Sequence, residues 1–285
     1  MKRPEDFWPV DKACQAEYDK MVALGRENAA QLDAAIVAIG RNAMPHLENT
    51  LALVEELQGG FRSCKFFCYE NDSTDGTDSC LDSFAARHEW ASVQHETLGT
   101  IDSRGFEKER TERLAKCRNI CHEWVRKNAR TTAWTIVLDL DPHHGFSVDG
   151  VFNSIGWLGR LAPLPSITQP GAMASYSLHL QDDGKGSTRI ANYDAWAARL
   201  NWWEDRREFM GMAWFSNLLP PVGSRPIPMN SCFGGLCVYK TAAYLSGGYS
   251  GEDCEHVPHH RRMHAAGWQV YFNPGSRYAA WLSTG

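Results

Sequence analysis

Three short apolar runs, each followed by a polar turn and a helical stretch, constrain the fold more than any other feature. They cover residues 34–40, 64–69 and 132–138. Runs this short and this apolar suit strands buried on both faces. Residues 47–57 between the first two are amphipathic, with Pro45 before them and Gly59-Gly60 after, the usual helix asymmetry. The pattern predicts further helices over 77–88 and 107–128 and a strand over 92–97. Alternation in the second run puts Cys64, Phe66 and Cys68 on one face. Strand, helix, strand in this order predicts a parallel sheet with right-handed crossovers.

The flanking regions are less regular. Residues 1–33 read as a helical lead-in, rich in Ala, Glu, Lys and Leu. After the third run a short helix is expected over 150–161, then Pro163, Pro165 and Pro170 break the chain. Residues 181–230 read as a long excursion with one helix over 193–203. A strand over 232–239, a helix after Pro258 and a last strand over 269–272 complete the pattern. No repeat or low-complexity linker interrupts it, so one domain over 1–285 is expected.

Composition excludes several classes. With 43% hydrophobic and 22% charged residues, the 285-residue chain is not disordered, collagen-like or a long coiled coil. Its net charge of −5 makes it no obvious polyanion binder. No apolar run approaches the roughly 18–20 residues that cross a bilayer. The start, Met1-Lys2-Arg3-Pro4-Glu5-Asp6, has no apolar signal core, so a cytoplasmic location is expected. Nine cysteines, an odd number, read as free and mostly buried thiols. The Cys64/Cys68 and Cys117/Cys121 pairs leave a zinc site as the alternative, although no Cys-x2-Cys pair occurs.

Chemistry concentrates at the ends of the predicted strands. Asp139-Leu140-Asp141 closes the third run, on the edge where open α/β sheets gather ligands. Two carboxylates there suit Mg2+ or Mn2+ shared with substrate phosphates; two solvated acids before Pro142 are the plainer reading. Glu70-Asn71-Asp72-Ser73-Thr74-Asp75-Gly76-Thr77 follows the second run, either as a ligand loop on the same edge or as a capped turn. On the long helix Leu114, Cys117, Cys121, Trp124 and Val125 form an apolar stripe that contains Arg118. A guanidinium in that position pairs with an acid such as Asp139 or reaches a phosphate. Arg110 and Arg113 either line the same cleft or are solvated.

In Gly251-Glu252-Asp253-Cys254-Glu255-His256, Glu252 or Asp253 is a candidate general base, with helix capping as the alternative. His256 is a candidate third metal ligand, with His143, His144, His259, His260 and His264 as rivals. Gly234-Gly235 suggests close approach of a ligand or a simple bulge. Trp196, Trp202, Trp203, Trp214 and Phe215 with Arg199, Arg206 and Arg207 suit stacking on sugars or bases, or a core with solvated arginines.

Ile39-Gly40-Arg41-Asn42, the Glu70–Thr77 loop, Arg113-Leu114-Ala115-Lys116-Cys117-Arg118-Asn119 and Asp139-Leu140-Asp141 together resemble the nucleotide-sugar half of a GT-A fold glycosyltransferase. Within that fold the chain is most similar to the fungal capsule-associated mannosyltransferases. The similarity continues through Ser231-Cys232-Phe233-Gly234-Gly235-Leu236 and Gly251 to His256, and spans residues 34–275. It implies an α/β fold with a mostly parallel central sheet flanked by helices. Residues 34–145 would form a Rossmann-like nucleotide-sugar half and 146–285 a less regular acceptor half.

The implied activity is transfer of a sugar from a UDP- or GDP-sugar to an acceptor hydroxyl, with Mn2+ or Mg2+ as cofactor. Ile39, Gly40, Arg41, Asn42, Glu70, Asn71, Asp72 and Ser73 would hold the nucleotide, with Arg113, Gly234 and Gly235 beside it. Arg118 would face the diphosphate or Asp139. Asp139 would face ribose or metal, and Asp141 would bind the metal. Phage-associated DNA glycosyltransferases also resemble this fold, so the acceptor is expected to be a glycan or 5-hydroxymethylpyrimidine in DNA, in a bacterial or virus-infected cell. A nucleotidyltransferase and a non-catalytic nucleotide-sugar-binding protein are the rival classes.

Overall fold

The computed structural model describes residues 3–99, 107–163, 168–182, 188–200 and 214–281. Helices α1 (Pro4–Phe7) and α2 (Gln15–Ala29) lead in. Strands and helices then alternate: β1 (Asp33–Gly40), α3 (Leu47–Gln58), β2 (Ser63–Asn71), α4 (Thr77–Arg87), β3 (Ala91–Glu96), α5 (Lys108–Asn128), β4 (Trp134–Asp139) and α6 (Val148–Arg160). The remaining elements are β5 (Gln169–Asp182), β6 (Thr188–Asn192), β7 (Ile227–Met229), β8 (Leu236–Lys240), α7 (Thr241–Ser246), α8 (His256–Ala265) and β9 (Trp268–Trp281). No described helix is long and apolar enough to cross a membrane.

One nine-stranded sheet runs β3-β2-β1-β4-β8-β5-β9-β7, with β6 paired to β5. The four strands from β3 to β4 are mutually parallel. Register aligns Ile39 of β1 with Tyr69 of β2 and with Asp139 of β4, so their C-terminal ends form one rim. Beyond β4 the sheet is mixed: β8 is antiparallel to β4 and β5, and β5 is parallel to β9.

Alternation along the buried strands feeds two core layers. Ile36, Phe66 and Ile136 pack with residues of α2, α3, α4 and α6. Val37, Phe67 and Val137 pack with residues of α5, α7 and α8. Cys64, Phe66 and Cys68 share the first layer, as their spacing predicts. All nine cysteines are free and seven are buried.

Several expectations change. Residues 193–200 form turns and one isolated bridge, Arg199 to Ser231, where a helix over 193–203 is predicted; 201–203 lie outside the described residues. The strand expected over 232–239 begins only at Leu236, because Gly234 and Gly235 take left-handed backbone with φ +72° and +81°. Helix α8 begins at His256 and carries Pro258 inside its first turn, where a missing N–H costs nothing. Strand β9 is far longer than 269–272, and β5, β6, β7 and α7 are additional elements.

Candidate functional site

The rim formed by β1, β2 and β4 opens onto a cleft of about 330 Å³. Strand β4 ends at Asp139, whose backbone N–H donates to the Gly235 carbonyl at 2.8 Å. Asp139 and Asp141 both line the cleft. The Tyr278 hydroxyl lies 3.5 Å from Asp141 Oδ1 and 3.3 Å from the Asp139 carbonyl. The Asp141 carboxyl is open to the cleft yet walled by protein. Loss of bulk water and the neighbouring Asp139 charge push it up to about 6. Asp141 is exposed at the mouth of the cleft, and Asp139 is part-exposed.

Arg118 sits on the cleft face of α5, its side chain only 4% exposed. Its Nη2 donates to Asp139 Oδ1 at 2.5 Å, and its Nε lies 3.6 Å from Glu255 Oε1. Burial opposes its charge, but Asp139 and Glu255 outweigh that and hold it firmly protonated. Among the described residues Nε and Nη1 find no hydrogen-bond acceptor. The reading that pairs Arg118 with Asp139 holds.

The two nucleotide-side loops are stitched to each other. Asn42, at φ +51°, donates its N–H to Ser73 Oγ at 3.0 Å and accepts the Thr74 N–H at 2.8 Å. Glu70 accepts the Ser73 N–H at 2.9 Å and meets His95 at 2.8 Å. Asp72, at φ +53°, accepts the N–H groups of Leu98 and Gly99. These bonds, led by the one from Asn71, hold its carboxyl below the ordinary range. Arg113 lies 3.8 Å from Asp72 and donates to the Leu98 and Gly99 carbonyls. Ile39, Gly40, Arg41, Asn71 and Arg113 line the cleft, while Asn42, Glu70, Asp72 and Ser73 brace the loops that carry them.

The loop before α8 is arranged differently from expectation. Glu252 is exposed. Both Asp253 oxygens are engaged by Arg199 at 3.0 and 3.1 Å, and Oδ1 also caps the Cys254 N–H. Glu255 and His256, rather than Glu252 or Asp253, line the cleft. His256 stacks on Phe233 at 3.7 Å, and burial keeps it neutral. Among the described residues neither of its ring nitrogens has a hydrogen-bond partner, although Nε2 lies 3.4 Å from Glu255. Of the rival histidines, His259 stacks on Tyr249, His260 bonds Ser231 and Tyr239, and His143 stacks on His46. Among the described residues no three His, Cys, Asp or Glu side chains form a ready-made metal cage, of zinc type or other. The carboxylates of Asp139 and Asp141 and the unbonded nitrogens of His256 nonetheless line one cavity. The two carboxylates are oxygen donors of the kind a divalent cation shares with a phosphate, while His256 forms no ligand group with them.

Gly234 and Gly235 are required as glycines. A Cβ on Gly234 would meet the Ser175 carbonyl at 2.6 Å, and one on Gly235 the Tyr278 ring at 2.5 Å. The Gly234 N–H donates to Asp194 Oδ2 at 2.8 Å. Asp194 lines the cleft at φ +65° and is pushed up to about 7, first by burial. Sequence reasoning passes over Asp194, and the single hint available is the tolerance of Asp for left-handed backbone. Arg110 lies over the Trp196 ring at 5.5 Å, and both line the cleft. Phe215 packs on Phe272 and Trp214 on Phe215, as core aromatics. Trp202, Trp203, Arg206 and Arg207 lie outside the described residues.

No family model matches the sequence, and a search of curated proteins finds no match. Solved structures do resemble the fold. GalNAc-T7 with UDP, GalNAc and Mn2+ is 15% identical, with a TM-score of 0.54 over 88% of this chain. The mannosyltransferase PcManGT from Pyrobaculum calidifontis, in complex with GDP-Man and Mn2+, is 14% identical with a TM-score of 0.48 over 95%. Mannosyl-3-phosphoglycerate synthase from Rubrobacter xylanophilus is 12% identical with a TM-score of 0.46 over 94%. This chain spans 44% of the GalNAc-T7 chain, 66% of PcManGT and 71% of the synthase. The likeness is one of fold: a central nine-stranded mixed sheet flanked by helices, as in GT-A glycosyltransferases.

Proposed function

We propose that the chain is a divalent-metal-dependent glycosyltransferase that moves a sugar from a UDP- or GDP-sugar to an acceptor hydroxyl. The observation that carries this is the juxtaposition of Asp139, Asp141 and Arg118 on one cleft at the strand ends. An acid pair at the strand end suits a cation, and the Arg118 N–H groups without acceptors suit a phosphate. The fold shared with GalNAc-T7, solved with UDP, GalNAc and Mn2+, supports the same reading.

Asp139 and Asp141 would hold Mn2+ or Mg2+. When bound, the cation neutralises charge on the leaving nucleoside diphosphate. Arg118 adds a fixed positive charge at the same place, kept rigid by Asp139 and Glu255. The loops at Ile39–Asn42 and Glu70–Ser73 shape the nucleotide wall through their mutual hydrogen bonds.

For the acceptor we favour a glycan hydroxyl over modified DNA. Of Arg199, Arg206 and Arg207, grouped with the tryptophans in the sequence, Arg199 lies within the described residues and is buried against Asp253 rather than offered to a polyanion. A panel of UDP-, GDP-, CMP- and dTDP-sugars with and without Mn2+ tests the reading. Release of a nucleoside diphosphate supports it. Pyrophosphate release from a nucleoside triphosphate indicates a nucleotidyltransferase instead, and binding without any turnover indicates a binding protein.

A further inference from the structure

We propose that Asp194 is the base of the transfer: its carboxylate takes the proton of the acceptor hydroxyl as that oxygen attacks the anomeric carbon. This rests on the glycosyltransferase reading above. In the step, the bond from acceptor oxygen to anomeric carbon forms. The bond from that carbon to the diphosphate oxygen breaks, its electron pair leaves on the nucleoside diphosphate, and the acceptor proton ends on Asp194. A single displacement of this kind inverts the anomeric centre.

The geometry points to Asp194 by its surroundings. Among the described residues four carboxylates line the cleft: Asp139, Asp141, Glu255 and Asp194. The first two form the candidate cation pair. Glu255 is 3% exposed and lies against Arg118, so its charge serves to balance the guanidinium. Asp194 is part-exposed, and a backbone group rather than a side-chain cation holds its Oδ2: the Gly234 N–H at 2.8 Å. That donor belongs to the glycine pair whose positions admit no Cβ.

Asp194 also carries a left-handed backbone at φ +65°, a conformation uncommon outside glycine and enriched at functional sites. The groups facing it among the described residues are Glu255 and Cys254 from the loop before α8, Asp139 from β4, Cys232 from the loop before β8 and its neighbour Tyr193. Burial and the negative charges of Glu255 and Asp139 hold its proton to about 7, a value suited to proton transfer near neutrality.

Asp194→Asn separates catalysis from structure. Asparagine keeps an oxygen for the Gly234 N–H and tolerates left-handed backbone, so a purely structural Asp194 predicts no effect. GDP-mannose and UDP-N-acetylglucosamine, each with Mn2+, serve as probes, with water as the acceptor. The expected result is unchanged donor-induced thermal stabilisation and a fall in nucleoside diphosphate release of about 100-fold or more. The sugar first released from the wild-type protein has inverted configuration by NMR. Wild-type turnover in the variant, loss of donor binding in the variant, or a retained anomer overturns the role of Asp194 and leaves the transferase reading standing. A wild-type protein that binds donor without releasing diphosphate contradicts a base poised in the cleft. A wild-type protein that binds neither donor removes the transferase reading, and the base with it.

Discussion

The two walls of the cleft are stabilised in opposite ways. On the nucleotide wall, polar groups at the ends of β1 and β2 satisfy one another. Asn42 meets Ser73 and Thr74, Glu70 meets Ser73 and His95, and Asp72 meets two backbone N–H groups. On the facing wall, built by α5, the end of β4, the loop after β6 and the start of α8 with the loop before it, charge is compressed and incompletely bonded. Arg118 keeps two nitrogens without acceptors, His256 keeps both, and Asp141 and Asp194 hold protons more tightly than ordinary acids. The first wall is a finished scaffold. The second is electrostatically unbalanced, and under the proposed function a cation with a diphosphate would relieve that imbalance. Such an imbalance is expected where binding and catalysis occur.

The largest effect expected of breaking the second wall comes from Asp141→Ala. It should lose about 100-fold or more of metal-dependent donor turnover, since a metal ligand acts directly on the leaving-group charge. Its melting temperature near pH 7 should not fall. An acid whose pKa is raised by folding destabilises the fold above that pKa, so removing it relieves a cost. Turnover and thermal melts on one preparation check both halves.

Arg118→Met should destabilise the protein by about 3 kcal/mol, because it leaves the buried Glu255 uncompensated. Urea unfolding measures that loss. The nucleotide wall offers the contrast: Ser73→Ala removes one neutral acceptor of a backbone N–H and should cost only about 1 kcal/mol. A cost for Ser73→Ala equal to that for Arg118→Met would erase the distinction between the walls.

Smaller effects sharpen the comparison. Burial holds His256, His259 and His260 neutral in the fold, with His260 down at about 3. An unfolded histidine takes its proton near 6.5. Below about pH 6.5 the unfolded chain therefore binds protons that the folded chain refuses, and stability falls as the pH drops. Melting temperature against pH should show this slope, and His260→Gln should flatten it by about one proton's worth. The smallest change should come from Glu252→Gln. That exposed side chain should alter stability by under about 0.5 kcal/mol, with turnover near wild type.

The legibility of the chain follows the same division. Strands β1, β2 and β4 were readable because both their faces are buried, which forces a compact apolar run. Strand β5 was not, because it opens on Pro170 and Gly171 and carries buried Ser175 and Ser177 in place of large aliphatic residues. Ser175 is tolerated inside because its hydroxyl donates to the Gly234 carbonyl, a partner 59 residues away. Asp139, Asp141 and Arg118 could be placed from the strand end and the helical stripe. The arrangement of the 251–256 loop could not. Whether Asp253 or Glu255 turns to the cleft is decided by Arg199, whose position depends on its bridge to Ser231. Asp194 was hidden for the same reason, since its partner Gly234 is 40 residues distant.

The most direct test is the thermal shift of the wild-type protein and Asp141→Ala with GDP- and UDP-sugars, each with and without Mn2+. A bound ligand raises apparent stability by mass action. The account predicts that one nucleotide sugar stabilises the wild-type protein strongly only when Mn2+ is present, and that Asp141→Ala abolishes the Mn2+-dependent part. A shift that ignores Mn2+, or one that survives intact in Asp141→Ala, would contradict a cation held between the acid pair and a diphosphate.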